Sequence, residues 1–206
     1  MKYLFKFENK RISLFVALLV TFAVSKVSFA DCHYETRQDN GKIWVFHSAS
    51  VAQFGYTSMA DNAMEAWNNV SFNVKINRTT ETSGDQFDRV YVAGFHQDPL
   101  IAGATAPYGR FQNGTIFATT WDARWYYVTI VAYNSTMVGL GFDQAEIQST
   151  ICHEFGHALK LAHPGKGTQR DNIPIPAGKA SVMSPGQHNY LVQAYDESGL
   201  KAKWGD

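Results

Sequence analysis

Short runs of β-branched and aromatic residues occupy much of the chain up to residue 133, and stretches with helical spacing interrupt and follow them. Lys42–His47 (KIWVFH) reads as a strand. Ser71–Asn77 (SFNVKIN) alternates with a period of two, the mark of a strand with one buried face. Arg89–Phe95, Thr115–Trp121 and Tyr126–Tyr133 read as further strands, and Leu100–Pro107 (LIAGATAP) as one built of small residues and broken by glycine. Ser58–Asn68 has apolar residues at 59, 60, 63, 64, 66 and 67, which is helical spacing. A second helix is predicted from Gln144 to about Lys160, with Asp143 at its N-cap and Glu146 three residues on, the capping-box pattern. The chain from His163-Pro164 to Gly186 is rich in Gly and Pro, and Tyr195–Trp204 reads as a closing helix. Strands first and helices late predict one domain of α+β class.

The N-terminus follows none of these patterns. Lys2, Lys6, Lys10 and Arg11 precede an apolar run, Ile12–Val24, and then comes Ser28-Phe29-Ala30. This is the layout of a secretory signal peptide, predicted to span 1–30. A run of 13 residues is too short to cross ~30 Å of hydrocarbon comfortably. Phe29-Ala30-Asp31 before Cys32 is not a lipidation signal. The expectation is a secreted, extracellular domain of residues 31–206. Cleavage removes five basic residues and one acid, leaving 176 residues with 13 basic and 17 acidic, net −4.

Composition then excludes several classes. At 45% hydrophobic and 14% aromatic, the chain has ample material for a core, so disorder is excluded as its main state. The mild acidity argues against a nucleic-acid partner, and no repeat period stands out. Two cysteines in an exported chain, Cys32 and Cys152, predict one disulfide. It would close a loop of about 120 residues, a contribution of roughly 4 kcal/mol by chain entropy. The alternative is a buried thiol at Cys152.

The densest chemistry is His153-Glu154-Phe155-Gly156-His157. Residues four apart on a helix share a face, so both imidazoles can reach one zinc ion. Glu154, beside them, can take a proton from a water on that metal. Ile147, Ile151, Phe155, Ala158 and Ala162 form the core stripe. The two histidines lie roughly 160° from its centre, on a face turned to solvent or to a groove. A third ligand must come from elsewhere. His163 would sit about 240° round in a continuing helix, so it can join only if the helix ends first. Pro164 favours this by biasing His163 towards extended dihedrals.

His153-Glu154-x-x-His157-x-x-x-x-x-His163 resembles the zinc signature of the metzincin peptidases. It departs at Lys160, where the family pattern has glycine. Lysine there costs about 1–2 kcal/mol if its backbone is left-handed; otherwise the turn is built differently. Ser181-Val182-Met183-Ser184 resembles the family's Met-turn, whose Met183 would pack under the zinc histidines. Trp67-Asn68, Leu100–Pro107 as an edge strand and the segment from Asp196 to Gly205 are similar to matrixin catalytic domains. The usual pro-region and its cysteine switch are not evident.

The resemblance implies a zincin-like α+β fold, with a twisted mixed sheet, an active-site helix and a C-terminal helix. It implies a zinc-dependent endopeptidase with His153, His157 and His163 on the metal and Glu154 as catalytic base and acid. Its substrate would be a protein or peptide added at the edge strand near 100–107. A monomer is expected. Calcium has no diagnostic acidic loop here. In some relatives a tyrosine near the position of Tyr190 assists the transition state, but Tyr190 itself reads first as a core or surface residue, and His33, His47, His96 and His188 read as structural or surface residues. Asn69, Asn77, Asn113 and Asn134 begin glycosylation triplets. Two alternatives stay open: a zincin in which Glu197 or Asp171 replaces His163, and a non-catalytic binding protein of the same fold.

Overall fold

A computed structural model describes residues 41–80, 88–94, 96–121, 123, 125–164, 175 and 178–206. The expected signal peptide, Cys32, His33 and Asp171 lie outside the described residues. The chain order is β1 (Lys42–His47), α1 (Ala49–Gln53), α2 (Thr57–Asn68), β2 (Lys75–Thr79), β3 (Asp88–Ala93), β4 (Gly103–Arg110), β5 (Ile116–Ala118), β6 (Tyr127–Tyr133), α3 (Asn134–Gly139), α4 (Gln144–Ala158) and α5 (Ala194–Trp204). No described helix is long and apolar enough to cross a membrane.

The strands form one mixed sheet in the order β2-β1-β3-β6-β4-β5. β1 pairs in parallel with β2 and β3, and β3 in parallel with β6. Parallel neighbours need a crossover, and α1 and α2 supply it between β1 and β2. β4 runs antiparallel to β6, from Gly103 opposite Ala132 to Tyr108 opposite Tyr127. β5 pairs only with residues 108–110 of β4. The stretch Gly103–Ala106 therefore has one open edge among the described residues. With α4 and α5, this is the zincin-like α+β architecture expected.

β6 is buried along nearly its whole length, so it reads as a continuous apolar run, as covered strands do. The core gathers Ala60, Ala63, Met64 and Trp67 of α2 with Ile147, Ile151, Phe155 and Ala158 of α4. The Trp67 indole donates to the Cys152 carbonyl at 2.9 Å, joining the two helices. α4 starts as its sequence predicts: Asp143 Oδ1 accepts from the Glu146 amide at 2.9 Å, and Glu146 Oε2 from the Asp143 amide at 2.7 Å.

Several expectations are corrected. Among the described residues Cys152 is a free thiol, fully buried on the core side of α4, and the other half of the expected disulfide, Cys32, lies outside those residues; the apolar surroundings push the Cys152 thiol pKa up. The strand expected from Ser71 begins at Lys75, because 71–73 turns outward with Phe72 99% exposed. The strand expected over 115–121 shortens to Ile116–Ala118, and the one expected over 100–107 runs from 103 to 110. α4 ends at Ala158, not Lys160. α1 and α3, of five and six residues, are too short to carry a periodic signal.

Candidate metal centre

His153 and His157 project from α4, and His163 arrives from the chain beyond it. The Nε2 atoms of His153 and His163 are 2.9 Å apart, and those of His157 and His163 3.1 Å. One ligand atom from each lies within 4.8 Å of the others, and among the described residues no other His, Cys, Asp or Glu cluster does this. The other ring nitrogens are committed. His153 Nδ1 donates to the Val182 carbonyl at 2.7 Å, and His157 Nδ1 to the Leu161 carbonyl at 2.8 Å. Protons on these two Nδ1 atoms leave lone pairs on the Nε2 atoms of His153 and His157, and the Nε2 of His163 lies against both. Burial, with a neighbouring ring adding to it, takes the pKa of His153 and of His157 down to about 3.

Neutral imidazoles converging in this way suit zinc. Metal–nitrogen bonds of about 2.0–2.1 Å in a tetrahedron place ligand nitrogens roughly 3.3 Å apart, close to the spacing seen. Three nitrogens would leave one coordination position for water or substrate. The backbone carbonyls on Nδ1 supply the outer support that fixes tautomer and ring orientation at such sites. Glu197, the alternative third ligand, is exposed on α5 and outside the cluster.

The chain reaches this geometry through a sharp helix end. The Lys160 amide donates to the His157 carbonyl and the Leu161 amide to the Gly156 carbonyl, both at 2.9 Å. This pair of bonds is the Schellman closure, with Lys160 in its left-handed position at φ 72°. The turn is therefore the one a glycine would make, with lysine bearing a strain of about 1–2 kcal/mol. The reversal brings His163 back to the two helical rings. It also aims the Leu161 carbonyl at His157.

Glu154 is buried beside the histidines. The Thr105 hydroxyl lies 2.7 Å from its Oε2 and 2.9 Å from its carbonyl oxygen. Burial raises the carboxyl to about 7, and the Thr105 hydrogen bond works against that rise. Gly103 leaves the room: a Cβ there would come within 2.8 Å of Glu154 Oε1.

Met183 packs against α4 at Gly156. A Cβ on Gly156 would come within 2.2 Å of Met183 Sδ and 2.9 Å of the Trp67 ring, so only glycine fits between them. Asp196 of α5 holds this loop. Its carboxylate accepts from the Ser181 hydroxyl, from the Val182 and Gln193 amides at 2.9 Å each, and from the Met183 amide at 3.4 Å.

The three histidines and Glu154 line a cleft of about 670 Å³. Leu100, Ile101, Leu140 and Phe142 make one apolar side, and Trp121 and His188 stand on its walls. Thr105, Trp121 and His188 were not singled out for the site by sequence, since no spacing rule connects them to the helix. His188 stacks on Tyr190, with centroids 4.4 Å apart. The Tyr190 carbonyl accepts from Ser149 at 2.6 Å. Tyr190 is thus a support for the wall rather than part of the cleft lining.

No protein-family model matches the chain, and no curated protein matches its sequence. Among solved structures, it is similar to high choriolytic enzyme 1, a hatching enzyme zinc-protease from the medaka fish Oryzias latipes. The TM-score is 0.47 at 13% identity, covering 84% of this chain and 94% of that one. The chemistry of the site is read from its own geometry.

Proposed function

We propose that this chain is a secreted zinc-dependent endopeptidase. His153, His157 and His163 hold the metal, and Glu154 is the acid–base residue. The observation that carries the reading is the convergence of three Nε2 atoms next to a buried carboxyl group in one cleft. When bound, zinc would act as a Lewis acid towards the scissile carbonyl and make a water more acidic. Glu154 takes a proton from that water and returns it to the leaving amine nitrogen, so the carboxylate ends as it began. Thr105 holds the carboxylate in place through its Oε2. The open edge of β4 borders the cleft at Gly103–Thr105 and favours a polypeptide laid alongside as an added strand. The basic start, the short apolar run and the small residues before Asp31 support export.

The test is direct. Purified mature chain should contain one zinc by elemental analysis and cleave casein or a quenched peptide. A chelator should abolish cleavage, and added zinc should restore it. A zinc-loaded chain that cuts no peptide in a broad library would refute the activity while leaving the metal site intact.

A further inference from the structure

Lys160 combines a left-handed backbone with a completely buried side chain. Its Nζ lies 3.5 Å from the centroid of the Trp125 ring. It also donates to the Ala123 carbonyl at 3.2 Å and the Trp121 carbonyl at 3.4 Å. All three contacts fall on the connection between β5 and β6. That connection has its own tie, the Trp125 indole to the Thr120 carbonyl at 3.1 Å. Trp121 packs edge-on against Trp125 at 5.3 Å and tilts over the His157 ring at 5.5 Å, where it lines the cleft. A continuous set of contacts therefore runs from the helix end, through the lysine ammonium, to a wall of the metal pocket.

The choice of residue is informative. Glycine at 160 would form the same backbone closure without strain, because both closing bonds are main-chain ones. It would leave two part-buried carbonyls and an aromatic face without their cationic partner. An ammonium can serve all three at once, since it has three donors and a compact charge suited to a ring face.

We propose that Lys160 is a positioning residue: it fixes Trp121, Ala123 and Trp125 in the connection between β5 and β6, so that Trp121 stands beside His157 and limits which substrate side chain fits next to the scissile bond. The positioning stands on its own contacts; the substrate consequence rests on the peptidase reading.

The experiment compares the full mature chain with K160G, K160M and W121A. Circular dichroism and zinc content show whether fold and metal persist. Amide exchange follows residues 119–126, and kcat and KM are measured on peptides whose residues flanking the cleaved bond run from Ala to Phe. K160G should stay folded and keep its zinc, because the closure and ligands are unaltered. Its connection should exchange at least about tenfold faster. Its small-to-large preference should shift by about tenfold, mainly through KM. K160M should loosen the same amides, and W121A should reproduce the altered preference. Unchanged exchange and preference in K160G would overturn the proposal, as would loss of zinc, which would place the role of Lys160 at the helix end instead. If no form cleaves peptide, the peptidase reading fails, and the exchange measurement alone still decides the positioning.

Discussion

Thr105 of β4 and Glu154 of α4 are joined through one hydroxyl, which faces both the side-chain Oε2 and the main-chain oxygen of the same glutamate. The hydroxyl has a single proton, and the carboxylate oxygen is the nearer acceptor. The edge strand thus sets the angle of the glutamate that would move protons. In Thr105→Val the shape persists and the donor is lost. Zinc content should be unchanged, while kcat falls by about 10–100-fold, the usual worth of an outer support. Thr105→Ser should restore most of it. Equal rates for the Val and Ser variants would separate Thr105 from the carboxylate's function.

Glu154→Gln removes the base and keeps the volume. Neither the helix nor the histidines change, so the variant should fold and bind zinc normally. Its kcat should fall by about 10²–10⁴-fold, the range of a positioned acid–base group. Near-normal cleavage with full zinc would leave the mechanism without its central residue.

The third ligand is open to a paired test. His163→Ala should lose most of the bound zinc, whereas Glu197→Ala should keep it, since that carboxylate lies outside the cluster. The opposite pattern would restore the acidic-ligand alternative. Zinc per chain by elemental analysis, after dialysis against a weak chelator, distinguishes them.

Local signals made the two helical histidines, Glu154 and the start of α4 legible: a four-residue spacing and a capping box act within one element. His163 was legible only through the condition that the helix must end, which the closure at Lys160 fulfils. Thr105, Trp121 and His188 were not, because they reach the cleft through the sheet register and through loops. Strand limits slipped at Ser71 and Trp121, where apolar residues continue past the last ladder bond. Cysteine count says nothing about direction: Cys152 points into the core, and Cys32 lies outside the described residues.

His47 gives a pH signature away from the site. Its side chain is buried, neither ring nitrogen has a hydrogen-bond partner, and Asp61 lies 3.9 Å away. Burial lowers its pKa, Arg78 lowers it further, and Asp61 partly opposes both. The native state therefore keeps the ring neutral, while the unfolded chain takes up a proton below about 6.5. More protons on the unfolded state mean stability that falls as pH drops through 6.5 towards the lowered native value. His47→Phe should flatten that part of the acid limb in urea titrations at pH 7, 6 and 5. A variant curve parallel to that of the parent would show that His47 titrates alike in both states.

Asp196 connects the closing helix to the metal histidines by way of the loop beneath them. Burial raises its pKa, and the donors from Ser181, Val182, Gln193 and Met183 lower it. Those donors divide between the two oxygens: the hydroxyl and the Met183 amide face Oδ1, and the Val182 and Gln193 amides face Oδ2. In Asp196→Asn one oxygen becomes an NH₂ group, so in either orientation an N–H must face another N–H. A buried donor left without an acceptor costs about 1–3 kcal/mol, so the variant should unfold at lower urea. The effect should also travel one residue further. Val182 donates its amide to Asp196 and offers its carbonyl to His153 Nδ1, so a loosened Val182 leaves that ring less firmly aimed. Zinc affinity should weaken by about 10–100-fold, measured by competition with a chromophoric chelator at a urea concentration where the variant remains folded. Weaker folding with unchanged zinc affinity would confine Asp196 to holding α5 in place and would show that His153 is oriented by the helix alone.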